Sequence, residues 1–248
     1  MKAMILAAGL GTRLRPLTDD RPKALVEINS RSLLEITLRR LRAFGVHEVI
    51  VNVHHFADMV ADYLQRNDDF GMQIEISRED ELLDTGGGLK KAAWFFLADS
   101  AQPNQPLLLH NVDVISDIDL GRMLQFHHAN QALATIAVQN RETSRYLLFD
   151  EHGQLSGRRT DDKAPELIGS PHSTDAWAFC GVHVISPGLF SMLTEDGAFS
   201  IINAYLRLAA QGEKIMAFRA DGYYWRDLGK PSSLAQATQD AEQGIIQL

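Results

Sequence analysis

The chain has a single cysteine in 248 residues, Cys180, so it can form neither an internal disulfide nor a multi-cysteine zinc site. A reducing compartment is expected, with Cys180 packed as a small hydrophobe. An excess of positive charge is also missing. With 24 Lys and Arg against 32 Asp and Glu, the net charge of −8 argues against an extended basic surface for nucleic acid and leaves room only for a local basic pocket. There is no long hydrophobic run: the apolar start MKAMILAAGLG is short, and Arg13 and Arg15 follow at once. That pattern fits a membrane span or secretory segment poorly, so a cytoplasmic protein with no membrane partner is expected. No stretch repeats at a fixed period and no low-complexity linker divides the chain. Residues 1–248 therefore read as one domain, with Ala98–Gln105 and Thr160–Thr174 as insertions within it. No feature specifies an oligomeric state.

What is present alternates between two periods. Lys2–Ala7 is a nearly continuous apolar run of the kind buried on both faces of a parallel sheet. Ser32-Leu-Leu-Glu35 matches a capping box, Leu34, Leu38 and Leu41 recur at helical spacing, and Gly45 marks a stop. The strand His47–Val53, the helix Ala57–Gln65 and the strand Gln73–Ser77 follow. After Asp84-Thr85-Gly86-Gly87-Gly88 a helix is expected over Leu89–Leu97, then a strand over Pro106–Asn111. Leu120–Ala129 reads as a helix, and Ala134–Gln139 and Tyr146–Asp150 as strands joined to further sheet by the His152-Gly153 turn. Ala178–Ile185 (strand), Ile201–Ala210 (helix), Ile215–Arg219 and Tyr223–Asp227 (strands) and a helix opened by Pro231-Ser232 complete the chain. The fold class is α/β: a doubly wound, mostly parallel, Rossmann-like sheet with a smaller β-rich portion after residue 130.

The chemistry gathers just past the first strand. Gly9, Gly11 and Thr12 lack the bulk that would keep backbone N–H groups from phosphate oxygens. GLGTRL lacks the third glycine of a dinucleotide fingerprint and the Gly-Lys-Ser/Thr ending of a P-loop, so two common glycine-loop readings fail. Arg13, Arg15 and Lys23 set three cations close together in an acidic protein, which suits a triphosphate and a leaving pyrophosphate. Asp113 and Asp227 fall at or near strand ends, where ligands of α/β sheets sit, and two carboxylates plus phosphate oxygens are what Mg²⁺ prefers. The pairs His54-His55 and His127-His128 point in different directions and make no ready chelate; they read as solvated or capping residues. Trp177, Phe179, Tyr224 and Trp225 can stack on a sugar or base, with at least two of them expected in the core.

GLGTRLRPLT followed by Arg21-Pro22-Lys23 resembles the signature of the sugar-1-phosphate nucleotidyltransferases. The likeness continues through Asp84–Gly88, Asn111-Val112-Asp113-Val114, Phe179–Val182 and Trp225-Arg226-Asp227-Leu228-Gly229, and so covers nearly the whole chain. It implies that Ala7, Ala8, Gly9, Gly11, Thr12 and Arg13 cradle the triphosphate of an NTP. Lys23 would contact the phosphates at the reacting centre, Thr85, Gly86 and Asn111 would complete the nucleotide site, and Asp113 and Asp227 would hold Mg²⁺. Arg13 and Lys23 are the catalytic candidates, and Glu166 and Gly181 the sugar contacts. The TGGG segment and the W-x-D-x-G close most resemble the bacterial branch that makes UDP-N-acetylmuramic acid from UTP and N-acetylmuramate 1-phosphate.

Three departures keep other readings open. Ser77–Glu81 occupies the region where thymidylyltransferases place a glutamine. Val112 stands where many relatives have glycine. Lys163-Ala-Pro-Glu166 is a loose match to the family's Glu-Lys pair. Guanylyl- or thymidylyltransferases of mannose, heptose or glucose 1-phosphate, a phosphocholine cytidylyltransferase and a non-catalytic nucleotide-sugar-binding subunit remain alternatives. The appended hexapeptide-repeat domain of some relatives is not expected.

Overall fold

Alternation along the first strand, β1 (Lys2–Leu6), decides the layering. Ala3 and Ile5 face one fully buried apolar layer and Met4 the other, so helices must cover both sides. The structure is a computed structural model that describes residues 1–98 and 104–248; the expected insertion Ala98–Gln105 falls largely outside the described residues. Two single 3₁₀ turns, Thr12–Leu14 and Lys23–Leu25, precede a hairpin of β2 (Glu27–Ile28) and β3 (Arg31–Ser32). Helix α1 (Leu33–Ala43) starts where expected: the Ser32 hydroxyl accepts from the Glu35 amide at 3.0 Å. The capping box is only half formed, because the Glu35 carboxylate turns to Arg39 and to the Tyr63 hydroxyl.

Strand β4 (Glu48–Val53), helix α2 (Ala57–Arg66) and strand β5 (Gln73–Arg78) repeat the unit. Helix α3 (Asp84–Lys91) begins five residues before the expected start and takes in all three glycines, and α4 (Ala93–Leu97) follows. The glycines were read as a loop, but close packing rather than turning explains them. A Cβ on Gly86 would lie 2.3 Å from the Phe199 ring, and one on Gly87 would lie 2.4 Å from the Gly197 carbonyl oxygen. Then come β6 (Leu107–Asn111), the short β7 (Val114–Ser116), α5 (Leu120–Asn130), β8 (Ala134–Gln139), β9 (Arg145–Phe149), β10 (Leu155–Thr160), β11 (Glu166–Leu167) and the long β12 (Asp175–Ile185). The one-turn α6 (Leu189–Met192), α7 (Ile201–Ala210), β13 (Ile215–Arg219), β14 (Trp225–Asp227) and α8 (Pro231–Glu242) complete the chain. Strands β2, β3, β7 and β11 were not foreseen, and β10 supplies the further sheet expected beyond the His152-Gly153 turn; β11 and the end of β10 fall inside the Thr160–Thr174 insertion.

The main sheet runs β11-β10-β9-β12-β6-β1-β4-β5, with β8 also against β12 and β13 beyond it. Strands β6, β1, β4 and β5 are mutually parallel, and β12 is antiparallel to β6. Its first residues, Asp175–Trp177, pair with β9, Val182–Ile185 pair with β6, and Ala178–Phe179 and His183–Ile185 pair with β8. The ladder shifts register between Phe179 and His183, around Gly181 at φ +73°. Helices α1, α2, α5 and α8 pack on one face, and α3, α4, α6 and α7 on the other. Among the described residues no helix is long and apolar enough to cross a membrane.

Three histidines are buried inside this scaffold. His110 of β6 faces α1, with Nε2 at 3.1 Å from Arg40, while His183 of β12 faces α7, with Nδ1 at 3.1 Å from the Tyr205 hydroxyl. His127, read from sequence as solvated or capping, instead bridges Thr135 and Ser186 at 2.9 Å each, because its turn of α5 faces the sheet. Burial lowers the pKa of His110 and His183 to about 3 and that of His127 to about 4, from a free value of 6.5. The native state is thus the poorer proton binder, and its advantage is complete above pH 6.5 and withdrawn as pH falls toward those native values. Between pH 6.5 and about 4 each imidazole should remove about 1.4 kcal/mol of stability per pH unit. Urea unfolding at pH 7 and pH 5 should show a lower midpoint at pH 5; an unchanged midpoint would refute the buried-neutral assignment.

Candidate active site

The order of the parallel strands places the site. From β1 the chain moves outward to β4 and β5 on one side and to β6 on the other, so a crevice opens beyond the carboxyl ends of β1 and β6. A cleft of about 440 Å³ lies there. Ala8 and Gly9 past β1, Asn52 of β4, Asn111 at the end of β6, and Val112 and Asp113 past it line the cleft, with Lys23, Leu82, Asp84 and Thr85 closing its sides. Of the residues expected from sequence, Ala8, Gly9, Lys23, Thr85, Asn111 and Asp113 face this one cavity.

The glycine loop is held from below. Leu14 is fully buried, its amide bonded to the Gly11 carbonyl at 2.8 Å, and the Thr18 hydroxyl donates to the same carbonyl at 2.9 Å. Gly11 sits at φ +65°, and a Cβ there would press on Thr18 at 3.0 Å and Lys23 at 3.1 Å, so the loop can fold down on the Pro22-Lys23 turn only with glycine. Gly9 differs: it is exposed, nothing lies within 4 Å of the place its Cβ would take, and that open space belongs to the cleft. Ala7 is buried behind the loop, where its amide donates to Asn52 Oδ1 at 2.8 Å, and Thr12 and Arg13 project from the exposed 3₁₀ turn.

Lys23 is buried at the head of its own 3₁₀ turn, and its ammonium pairs with Asp113 Oδ2. Asp227 comes to the same place through a small sheet of which only β14, within the expected strand Tyr223–Asp227, was read from sequence. β7 pairs with β14 so that Asp227 stands opposite Val114, next to Asp113, and the Leu228 amide donates to the Asp113 carbonyl at 2.8 Å. One oxygen of Asp227 accepts from the Gly229 amide at 2.6 Å. Arg13 arrives from the other side: the position of a Cβ on Gly229 lies 2.5 Å from Arg13 Nη2 and 2.7 Å from Asp227 Oδ1. Two cations and two carboxylates, far apart in sequence, thus meet at one rim.

On the opposite wall a buried carboxylate orders the chain. Glu79 is 4 % exposed; its Oε1 accepts from Asn52 Nδ2 at 2.7 Å and its Oε2 from the Leu83 amide at 3.0 Å. Gly86, expected to complete the nucleotide site, has its amide engaged within the fold. That amide donates to the Phe199 carbonyl at 2.8 Å and Gly87 N–H to the same oxygen at 3.3 Å, so these amides at the start of α3 are already satisfied. Thr85 does line the cleft, its hydroxyl accepting from the Ile201 amide at 3.0 Å. Beside it Asp84 holds φ +57°.

Gly181 lies under the floor: a Cβ there would reach 2.8 Å from Val114 and 3.0 Å from Asn111 Nδ2, so it secures the close approach of β12 to Asn111. Asn111 Oδ1 is buried without a partner among the described residues. Glu166 is not part of this cavity. It is exposed on β11, paired with Arg158 at 2.7 Å, and lines a separate depression beside α7. Sequence reading missed Asn52, Leu82, Glu79 and Arg141. Asn52 follows three apolar strand residues, and a polar residue there was the available signal; Arg141 stands outside the quoted motifs. The aromatics are all partly buried, with Arg219 over Trp177 at 4.2 Å and Arg141 over Trp225 at 3.7 Å.

The sequence profile described as Nucleotidyl transferase matches residues 2–244. An N-acetylmuramate alpha-1-phosphate uridylyltransferase of Caulobacter vibrioides is 34% identical over 93% of this chain and 93% of that protein. A mannose-1-phosphate guanyltransferase of Yarrowia lipolytica is 30% identical over 96% of this chain but 63% of its own length. Among solved structures, HddC from Yersinia pseudotuberculosis complexed with GMP-PN superposes with a TM-score of 0.74 at 21% identity, over 96% of this chain and 98% of that one, which is a likeness of fold. Matched along nearly its whole length by that profile and by the Caulobacter protein, the chain belongs to the sugar-1-phosphate nucleotidyltransferase family.

Proposed function

We propose that the protein transfers a uridylyl group from UTP to N-acetylmuramate 1-phosphate, with Mg²⁺ as cofactor, giving UDP-N-acetylmuramic acid and pyrophosphate. The observation that carries the transfer reading is the pairing of Lys23 with Asp113 in the wall of the cleft, with Asp227 brought opposite Val114, next to Asp113, by the β7 and β14 ladder. The choice of UTP and muramate is supported by the Caulobacter relative, matched along nearly its full length.

Among the described residues no group of three or more His, Cys, Asp or Glu side chains can hold a metal. A two-carboxylate set completed by phosphate oxygens is what Mg²⁺ uses, and Asp113 and Asp227 fit it. When bound, the ion would offset charge on the phosphates. The protein's own part is positional. An oxygen of the sugar 1-phosphate forms a bond to the α-phosphorus as the bond to the β-phosphate oxygen breaks, and the electron pair leaves with pyrophosphate. The attacking phosphate is already ionised, so no general base is needed. Lys23, held in place beside Asp113, and Arg13 at the rim counter the charge of the phosphates, while Gly9 leaves space for them.

Pyrophosphate release assayed over UTP, GTP, dTTP and CTP against a panel of sugar 1-phosphates should give the highest kcat/KM for UTP with N-acetylmuramate 1-phosphate. A better GTP and mannose 1-phosphate pair would overturn the substrate choice, and no release from any pair would sink the enzyme reading. Lys23→Ala should lower kcat by roughly 10²–10³, the loss seen when one preorganised donor is removed. Asp113→Asn should keep the fold by circular dichroism but lose Mg²⁺-dependent turnover; wild-type metal dependence would remove Asp113 from the site. Gly229→Ala places a methyl group between Arg13 and Asp227 and should cost about 10² in kcat through their displacement. Full activity in that variant would show that the contact does not matter.

A further inference from the structure

Arg141 takes no part in the chemistry above, yet its surroundings are constructed with care. It follows β8, its Nη2 donates to the Phe179 carbonyl at 2.6 Å, and its guanidinium carbon lies 3.7 Å from the centre of the Trp225 ring. Trp225 is fixed in turn by a 2.7 Å bond from its indole N–H to the Cys180 carbonyl. A guanidinium stacked on an aromatic ring keeps its in-plane donors for a planar acceptor. Here Phe179 takes one donor, Nε is buried with no partner, and no carboxylate forms an ion pair with Arg141 among the described residues. Burial lowers its pKa, a penalty on the charged form that Cys180 and Asp227 oppose.

The position is as informative as the unused donors. Trp225 and Asp227 are two residues apart on β14 and so share a face, which sets Arg141 on the Asp227 side of the site. Cys180, which anchors Trp225, precedes Gly181, and Gly181 packs against Asn111 of the cleft. Arg13 and Lys23 lie with the glycine loop, whereas Arg141 joins β8 to the β-rich extension of β9 to β11. A neutral sugar would leave this half-buried guanidinium with no carboxylate at ion-pair distance, only the more distant charge of Asp227.

We propose that Arg141, held flat on Trp225, is a specificity-determining residue that receives a carboxylate carried by the sugar, which makes the substrate class an acidic sugar 1-phosphate. This rests on the reading of the chain as a sugar-1-phosphate nucleotidyltransferase. The test compares N-acetylmuramate 1-phosphate with N-acetylglucosamine 1-phosphate, which lacks only the lactyl ether and its carboxylate, in wild type, Arg141→Met and Arg141→Lys. Loss of a charge-assisted carboxylate contact should lower kcat/KM of Arg141→Met on the acidic sugar by roughly 30- to 100-fold, mainly through KM. Activity on the neutral sugar should change by no more than about threefold, and Arg141→Lys should regain part of the loss. An equal loss on both sugars would overturn the proposal and make Arg141 a phosphate or structural contact. Wild type inactive on N-acetylmuramate 1-phosphate would refute the substrate named above, and the same comparison with glucuronate and glucose 1-phosphates then decides Arg141. If wild type accepts no acidic sugar, the proposal falls. Should Arg141→Met not fold, Arg141→Gln carries the same comparison.

Discussion

The pairing of Lys23 with Asp113 ties the first loop of the chain to the end of β6, and the rest of the site is arranged around that tie. Neither residue is deep in the core, yet both are largely shielded, so the attraction is stronger than an exposed pair would give. It depends on Gly11, whose left-handed backbone lets the loop settle on the lysine, and on Leu14, which anchors the loop in the apolar layer. It also depends on the β7 and β14 ladder, because Asp113 occupies the turn between β6 and β7 and shares a hydrogen bond with the strand that carries Asp227.

Much of this architecture was legible from periodicity. The parallel half of the sheet and the helices α1, α2, α5, α7 and α8 announce themselves by apolar spacing, since both faces of each central strand and one face of each helix must be buried. The site was legible where local chemistry is unusual: glycines beside arginines, a Pro-Lys pair and strand-end aspartates. What stayed hidden depends on distant partners. The three glycines of α3 are small because Phe199, Gly197, Asn52 and Glu79 press on them, and nothing near them in sequence says so. β7 is three residues long and forms only by finding β14, so local pattern gives it no weight, whereas β14 lies within the expected strand Tyr223–Asp227.

Polar groups buried in the sheet follow the same logic. His110 and His183 interrupt apolar strands and point to opposite faces, each meeting a polar residue of the helix that covers it. Arg40 supports His110 while also donating to Ser116 of β7 at 2.9 Å and to the Ile118 carbonyl at 2.6 Å. A helix on the back of the sheet thereby steadies β7, the strand against which β14 presents Asp227, and the rim of the cleft inherits rigidity from residues that never touch it.

Strand β12 serves two masters with its two ends, and Gly181 is the joint. Ahead of the joint Asp175–Trp177 carry the hairpins β9 to β11; behind it Val182–Ile185 lie in the ladder with β6. Lengthening or trimming the hairpins acts on the first end and leaves the register of the second untouched. Such a division lets the hairpins vary by insertion and deletion while the strand ends that line the cleft keep their places.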